Sequence, residues 1–180
     1  MPLEGHGSAG TKGTHWEKRI AKDEYMIGDI GTADPSYSVF TFALFEDTGW
    51  YTVNYDWVQL LNWGTARSRE FVYSKCVQAQ APAYPEFCNE VYVAGTNPGC
   101  DYNHLHKGFC NLSETSTNGI DTNYQYYGDN QKGGTDTVAD NCPYMQPFSN
   151  GNCRGHGATT TDTDARFGET IGVSARCITG

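Results

Sequence analysis

Seven cysteines, Cys76, Cys88, Cys100, Cys110, Cys142, Cys153 and Cys177, all lie beyond the first third of this 180-residue chain. No other feature limits the fold as strongly. Their spacing is wide and contains no Cys-x-x-Cys, which argues against a zinc ribbon or a thioredoxin-like redox motif. Wide, irregular spacing in a glycine-rich background fits a disulfide framework made in an oxidising compartment. All seven are therefore disulfide candidates. The odd count means that at least one thiol is free or pairs with another chain. Connectivity is not legible from spacing.

The rest of the composition agrees with a loop-rich fold. There are 21 glycines, and apolar residues make up 38 %, so the core is modest. Twelve tyrosines, eight phenylalanines and four tryptophans compensate, because each aromatic buries a large area. The length suits one domain or two small units. The formal net charge is −9, and the densest basic cluster is Lys18-Arg19 with Lys22. A nucleic-acid partner is therefore not expected. No apolar stretch is long enough for a membrane span. Met1–Gly5 does not open a signal peptide, and no hydrophobic tail precedes Gly180. The disulfide reading implies an extracellular or cell-surface protein whose export signal lies outside these residues. The triplet Asn111-Leu112-Ser113 is a glycosylation sequon, with Asn111 as acceptor.

Along the chain, the glycine-rich residues 1–14 read as a flexible loop and residues 15–31 as loop and turn. A helix is expected from about Pro35 to Thr48, with Asp34 as N-cap, Pro35 in the first turn and Gly49 as the left-handed terminator. Tyr37, Val39, Phe40, Ala43 and Leu44 recur at helical spacing, and Phe42 and Phe45 widen the apolar face. Such a helix is expected to be buried on most sides. Trp50–Tyr55 alternates and is rich in β-formers, so a short strand is expected there. From Trp63 onward the pattern breaks into short pieces, and no internal repeat is present. These signals predict an α+β fold with a boundary near residues 50–60, dividing the chain into 1–55 and 56–180.

One stretch carries chemistry. Gly7-Ser8-Ala9-Gly10 leads into Gly13-Thr14-His15-Trp16-Glu17-Lys18-Arg19, and Asp23-Glu24-Tyr25-Met26-Ile27-Gly28 follows. A lone histidine beside a tryptophan is ordinarily a packed or surface residue, and Met26 alone would be core filler. Together, however, these segments resemble leishmanolysin-type zinc peptidases of the metzincin group, in which three histidines hold one zinc. The similarity continues through Phe42–Tyr51, Asn62-Trp63-Gly64, Phe87-Cys88, Gly99-Cys100, Gly108-Phe109-Cys110, Asn141-Cys142-Pro143, Ser149–Cys153 and Ala175-Arg176-Cys177. It thus covers nearly the whole chain.

The resemblance implies that His15 is the third zinc ligand. Met26, eleven residues on, would be the methionine of the turn beneath the metal. Residues 1–55 would end the catalytic module, and residues 56–180 would be the cysteine-rich domain. The implied function is zinc-dependent endopeptidase action on protein or peptide substrates. The two other histidines and the glutamate base of such enzymes lie on an upstream His-Glu-x-x-His helix. Only fourteen residues precede His15, and that motif occurs nowhere in the sequence. The chain alone is therefore expected to be inactive and to need the N-terminal part of the catalytic domain as its partner. The alternative reading is a noncatalytic, disulfide-rich extracellular module for adhesion or protein binding. The chain departs from the family pattern at Arg69, where a cysteine is expected.

Three other features carry less. His104-x-His106 would share a face on a strand, but it lies between Cys100 and Cys110, where ordinary packing within a disulfide loop is expected. Asp162 and Asp164 lack EF-hand spacing and read as a solvated loop. No Gly-x-Ser-x-Gly or phosphate-binding loop is present.

Overall fold

Helix formation among the described residues is brief, and side-chain caps mark the start of the first two helices. The computed structural model describes residues 1–29, 31, 35–116, 118–154 and 171–178. Asp34 and the Asp162/Asp164 pair lie outside the described residues. The chain forms two units, residues 1–75 with 136–142, and residues 76–135 with 143–180.

In the first unit, helix α1 spans Lys18–Ala21, and its N-cap Glu17 accepts from the backbone N–H of Arg19 at 3.3 Å. Helix α2 spans Val39–Asp47, shorter than the expected 35–48. The reason lies just upstream. Ser36 N donates to Asp23 O, Tyr25 N donates to Ser36 O, and Tyr37 N donates to the Gln59 side chain at 2.9 Å. Those bonds hold residues 36–37 extended, so the helix starts at Ser38, whose hydroxyl accepts from Phe40 N at 3.2 Å. Its end agrees with expectation: Gly49 adopts φ +70° and donates to Glu46 O.

The expected burial of α2 does not hold. Thr41 is its one buried residue, while Val39, Phe40, Leu44 and Phe45 are 38–48 % exposed. The strand expected at Trp50–Tyr55 is also absent. Asn54 caps a single 3₁₀ turn, Tyr55–Trp57, through its bond from Asp56 N. Among the described residues no strand pairs with the segment, and Trp50 is 83 % exposed. Alternation by itself does not make a strand without a ladder to join.

Residues 1–14 are turns, but they are tied down. Leu3 and Ile27 both bridge Trp16, Glu4 N donates to His15 O, and Gly13 N donates to Glu4 O. The core gathers Trp16, Ala21 and Ile27 with Met26 and Leu61 against them. Ile20, Trp63 and Phe71 are buried as well. Helix α3, Glu70–Tyr73, follows a turn at Gly64, which takes φ +68°. A Cβ there would stand 2.8 Å from the Phe71 ring, so glycine serves both the turn and the packing.

The second unit is built from short antiparallel strands. A hairpin joins β1, Val77–Gln78, to β2, Ala81–Pro82, through Ala79 and Gln80, both at positive φ. A two-residue loop of that hand matches the twist of the strands it joins. The main sheet runs β3 (Gly99–Cys100), β4 (His106–Cys110), β7 (Met145–Asn152), in that spatial order. A register shift falls between His106 and Gly108. Gly108 and Gly151 sit there with partner backbone so close that a Cβ would lie 2.3 Å from a carbonyl oxygen. Strands β5 (Leu112–Ser113) and β6 (Gly133–Gly134) form a separate pair. Phe109 and Phe148 lie with ring centroids 5.2 Å apart, and Tyr92 packs on both.

Disulfides Cys88–Cys110 and Cys100–Cys177 fasten this sheet to its surroundings. Cys76 and Cys142 are also disulfide-bonded. Cys153 is in the thiol form, its Sγ 3.7 Å from Gly151 O. Small helices, small sheets and disulfides together make an α+β, disulfide-stabilised fold.

Candidate functional site

His15 stands where the N-terminal turns close. The residue is half-buried. The Nδ1 atom lies 2.9 Å from Thr14 Oγ1 and 3.2 Å from Thr11 O. The Thr14 hydroxyl also reaches Gly10 O at 2.9 Å and Thr11 O at 3.1 Å. Nε2 has no hydrogen-bond partner among the described residues. A ring held through one nitrogen, with the other uncommitted, is the arrangement that metal-ligating histidines use.

The residues after His15 anchor it. Trp16 Nε1 donates to Thr41 Oγ1 at 2.9 Å, and Thr41 Oγ1 donates to Glu24 Oε1. The fully buried Glu24 carboxylate also accepts from the Ser38 hydroxyl at 3.0 Å and from the backbone N–H groups of Ser38 and Met26. One buried acid thus organises the start of α2 and the turn holding Met26. Met26 O accepts from Trp16 N at 2.8 Å, which places the Met26 backbone beside that of the residue after His15. The Met26 side chain is half-buried against the Trp16 cluster.

Glu17, Lys18 and Arg19 reach in different directions. The Glu17 carboxylate accepts from Gly5 N and Arg19 N, and it is 6 % exposed. Burial, followed by the nearby charges of Asp140 and Glu4, pushes its pKa up to about 7. Glu4 is raised too, by burial first, although the backbone donors of His6 and Lys18 partly offset it. Lys18 Nζ lies 2.8 Å from Asp136 and 3.4 Å from Asp29. Arg19 bonds Asp140 at 3.3 Å and the carbonyls of Phe71, Val72 and Ser74 at 2.9–3.4 Å. Those carbonyls belong to the open end of α3, so the guanidinium caps that helix.

Other candidates separate from His15. His106 Nδ1 bonds the buried Asp101 carboxylate at 2.8 Å, whereas His104, at φ +59°, bonds Cys177 O at 2.9 Å. The two rings face different partners. Cys100 and Cys110, between which they lie, belong to different disulfides, which corrects the expected disulfide loop. Asn111 is 2 % exposed, and its Oδ1 accepts from Tyr144 N at 2.9 Å. The glycosylation candidate Asn111 is thus buried in this fold. Arg69 is exposed, with its guanidinium 5.2 Å from the Tyr73 ring centroid. Among the described residues, no three His, Cys, Asp or Glu side chains converge as a metal site. Sequence reasoning missed Thr11, Thr14, Glu4 and Glu24 as supports. The signal for Glu24 was present, in an acid next to the Met26 turn. Thr14 carried none beyond its place beside His15.

Comparison with known proteins gives a family-wide match. The family model described as Leishmanolysin, peptidase M8, matches residues 1–180. A leishmanolysin-like peptidase of Drosophila pseudoobscura pseudoobscura is 33 % identical over 162 residues, covering 82 % of this chain and 23 % of the relative. Leishmanolysin of Leishmania major is 29 % identical over 181 residues, covering the whole chain and 29 % of the relative. A leishmanolysin homolog of Crithidia fasciculata is 31 % identical over 184 residues, covering the whole chain and 27 % of the relative. The chain thus spans between a fifth and a third of the length of these relatives.

Proposed function

Because the chain belongs to the leishmanolysin family, a family of zinc metallopeptidases, we propose that it is the C-terminal part of a zinc-dependent endopeptidase acting on proteins. In this reading His15 supplies one of three imidazole ligands, and Met26 forms the hydrophobic turn beneath them. The observation that carries it is the state of His15: Nδ1 is held by protein oxygens, and Nε2 is uncommitted. That donor fits zinc, which binds neutral imidazole through one nitrogen while the other is anchored. Zinc at such a centre supplies Lewis acidity toward a peptide carbonyl and toward water.

This chain's own part is positional. Glu24 and Thr41 fix Trp16, Trp16 is bonded to the Met26 carbonyl, and His15 is set on that rigid base. The remaining two ligands and the glutamate base are assigned to a His-Glu-x-x-His helix outside these 180 residues. The catalytic module would end within residues 1–55, with the cysteine-rich domain at 56–180. Support for a missing partner comes from α2. Its apolar Val39, Phe40, Leu44 and Phe45 are exposed, and contiguous apolar exposure usually marks an interaction surface. Six disulfide-bonded cysteines support an exported, extracellular or cell-surface protein. No helix among the described residues is long and apolar enough to cross a membrane.

The test is reconstitution. The 180-residue chain alone is expected to bind zinc weakly and to leave casein intact. Joined to an upstream segment with His-Glu-x-x-His, it is expected to hold stoichiometric zinc, cleave casein, and lose both on His15→Ala. Full zinc content and activity in the joined His15→Ala variant would overturn the assignment.

A further inference from the structure

The proton inventory around His15 goes further than the ligand assignment. Thr14 Oγ1 carries one proton, and two carbonyl oxygens take it, Gly10 O at 2.9 Å and Thr11 O at 3.1 Å. The hydroxyl oxygen therefore turns a lone pair toward His15 Nδ1, 2.9 Å away. Thr11 O, 3.2 Å from the same nitrogen, is an acceptor only. Two acceptors thus converge on Nδ1. In the opposite tautomer the Nδ1 lone pair would face the Thr11 carbonyl lone pairs, and the Thr14 proton would have to leave both carbonyls to reach it.

We propose that Thr14 is a positioning residue: its hydroxyl, with the Thr11 carbonyl, locks the neutral His15 ring with its proton on Nδ1. Nε2 is then left as the lone-pair nitrogen before any metal arrives. The tautomer follows from the hydrogen bonds alone. Its purpose rests on reading His15 as a zinc ligand. The turn that supplies the two oxygens, Gly10–Thr14, is part of the same glycine-rich approach. Its conformation is fixed by Thr11 N and Lys12 N on Ser8 O and by Gly13 N on Glu4 O. Among the described residues, the ring is held by a main-chain carbonyl and one hydroxyl, and no carboxylate bonds it. Preparation of this kind reduces the reorganisation that ligation requires.

Long-range proton–nitrogen correlation NMR on the ¹⁵N-labelled 180-residue chain at alkaline pH reads the tautomer directly. Wild type is expected to show a pyrrole-type Nδ1 and a pyridine-type Nε2 at His15. Thr14→Val, which keeps the shape and removes the acceptor, is expected to shift population toward Nε2–H. Thr14→Ser is expected to restore the wild-type pattern. Thr14 is exposed, so these substitutions leave the core intact. An Nε2–H ring in wild type, or identical spectra for wild type and Thr14→Val, would overturn the proposal. Excess zinc chloride then separates tautomer from purpose. Zinc is expected to perturb Nε2 of His15 while the Nδ1 proton persists. Absence of any perturbation would remove the zinc purpose while leaving the tautomer result in place, and loss of the Nδ1 proton would assign the wrong nitrogen to the metal.

Discussion

Glu17 shows how a single residue in the His15 segment couples the fold to pH. Burial first, and the charges of Asp140 and Glu4 after it, push its pKa from 4.5 to about 7. The carboxyl then holds its proton more tightly folded than unfolded. Its contribution to stability is full below pH 4.5 and is lost as pH rises toward 7. A shift of this size corresponds to a loss on the order of 3 kcal/mol. Glu17→Gln is expected to flatten that part of the pH profile, as measured by urea unfolding of both proteins between the two pH values. Equal slopes for the two would contradict the assignment. Glycine effects separate at the same scale. Gly13 and Gly64 both have positive φ, but only Gly64 faces an atom at 2.8 Å. Gly13→Ala is expected to cost about 1–2 kcal/mol from backbone conformation alone. Gly64→Ala adds overpacking against Phe71, typically about 1–3 kcal/mol, so its urea midpoint should fall further.

Among the elements, α3 depends on a side chain that is remote in sequence. Arg19 covers three of its terminal carbonyls and also bonds Asp140. Arg19→Leu is expected to cost about 3–5 kcal/mol, the usual penalty for breaking a buried charge pair from one side. Arg19→Lys is expected to recover only part of it, because an ammonium lacks the planar fork that spans several acceptors. Denaturant unfolding of the pair of variants checks the order. Helix α2 presents the opposite case. Leu44 is 48 % exposed and Trp16 is 8 % exposed. Leu44→Gln should therefore change stability by no more than about 0.5 kcal/mol, whereas Trp16→Ala should cost about 3–5 kcal/mol. A large loss from Leu44→Gln in the isolated chain would mean that the α2 face is covered.

At the scale of the whole molecule, the two disulfides of known partners differ in span. Cys100–Cys177 closes a sequence separation of 77, and Cys88–Cys110 one of 22. If stabilisation comes from restricting the unfolded chain, the longer loop contributes about 1 kcal/mol more. The double variant Cys100→Ser/Cys177→Ser is therefore expected to unfold at lower urea than Cys88→Ser/Cys110→Ser. The reverse order would point to native-state packing as the larger effect. Hydrogen exchange should find β4 and β7 slowest within their own unit, because they join the three-stranded sheet.

Much of this protein was legible in its sequence. The Gly13–Arg19 segment identified the family, the cysteines announced a disulfide fold, and Gly49 marked the end of α2. Each is a local or chemical signal: a residue type at a position that few alternatives suit. The misreadings arose where long-range bonds compete with local preference. Ser36 and Tyr37 are helix-compatible, but their backbone donors go to Asp23 and Gln59. Trp50–Tyr55 has strand propensity, but no strand lies beside it among the described residues. Disulfide partners, the Arg19 cap on α3 and the Thr14 bond that orients His15 also belong to tertiary structure. The sequence determined which groups were available. Only folding decided which of them met, because hydrogen bonds and burial depend on neighbours that sequence distance does not reveal.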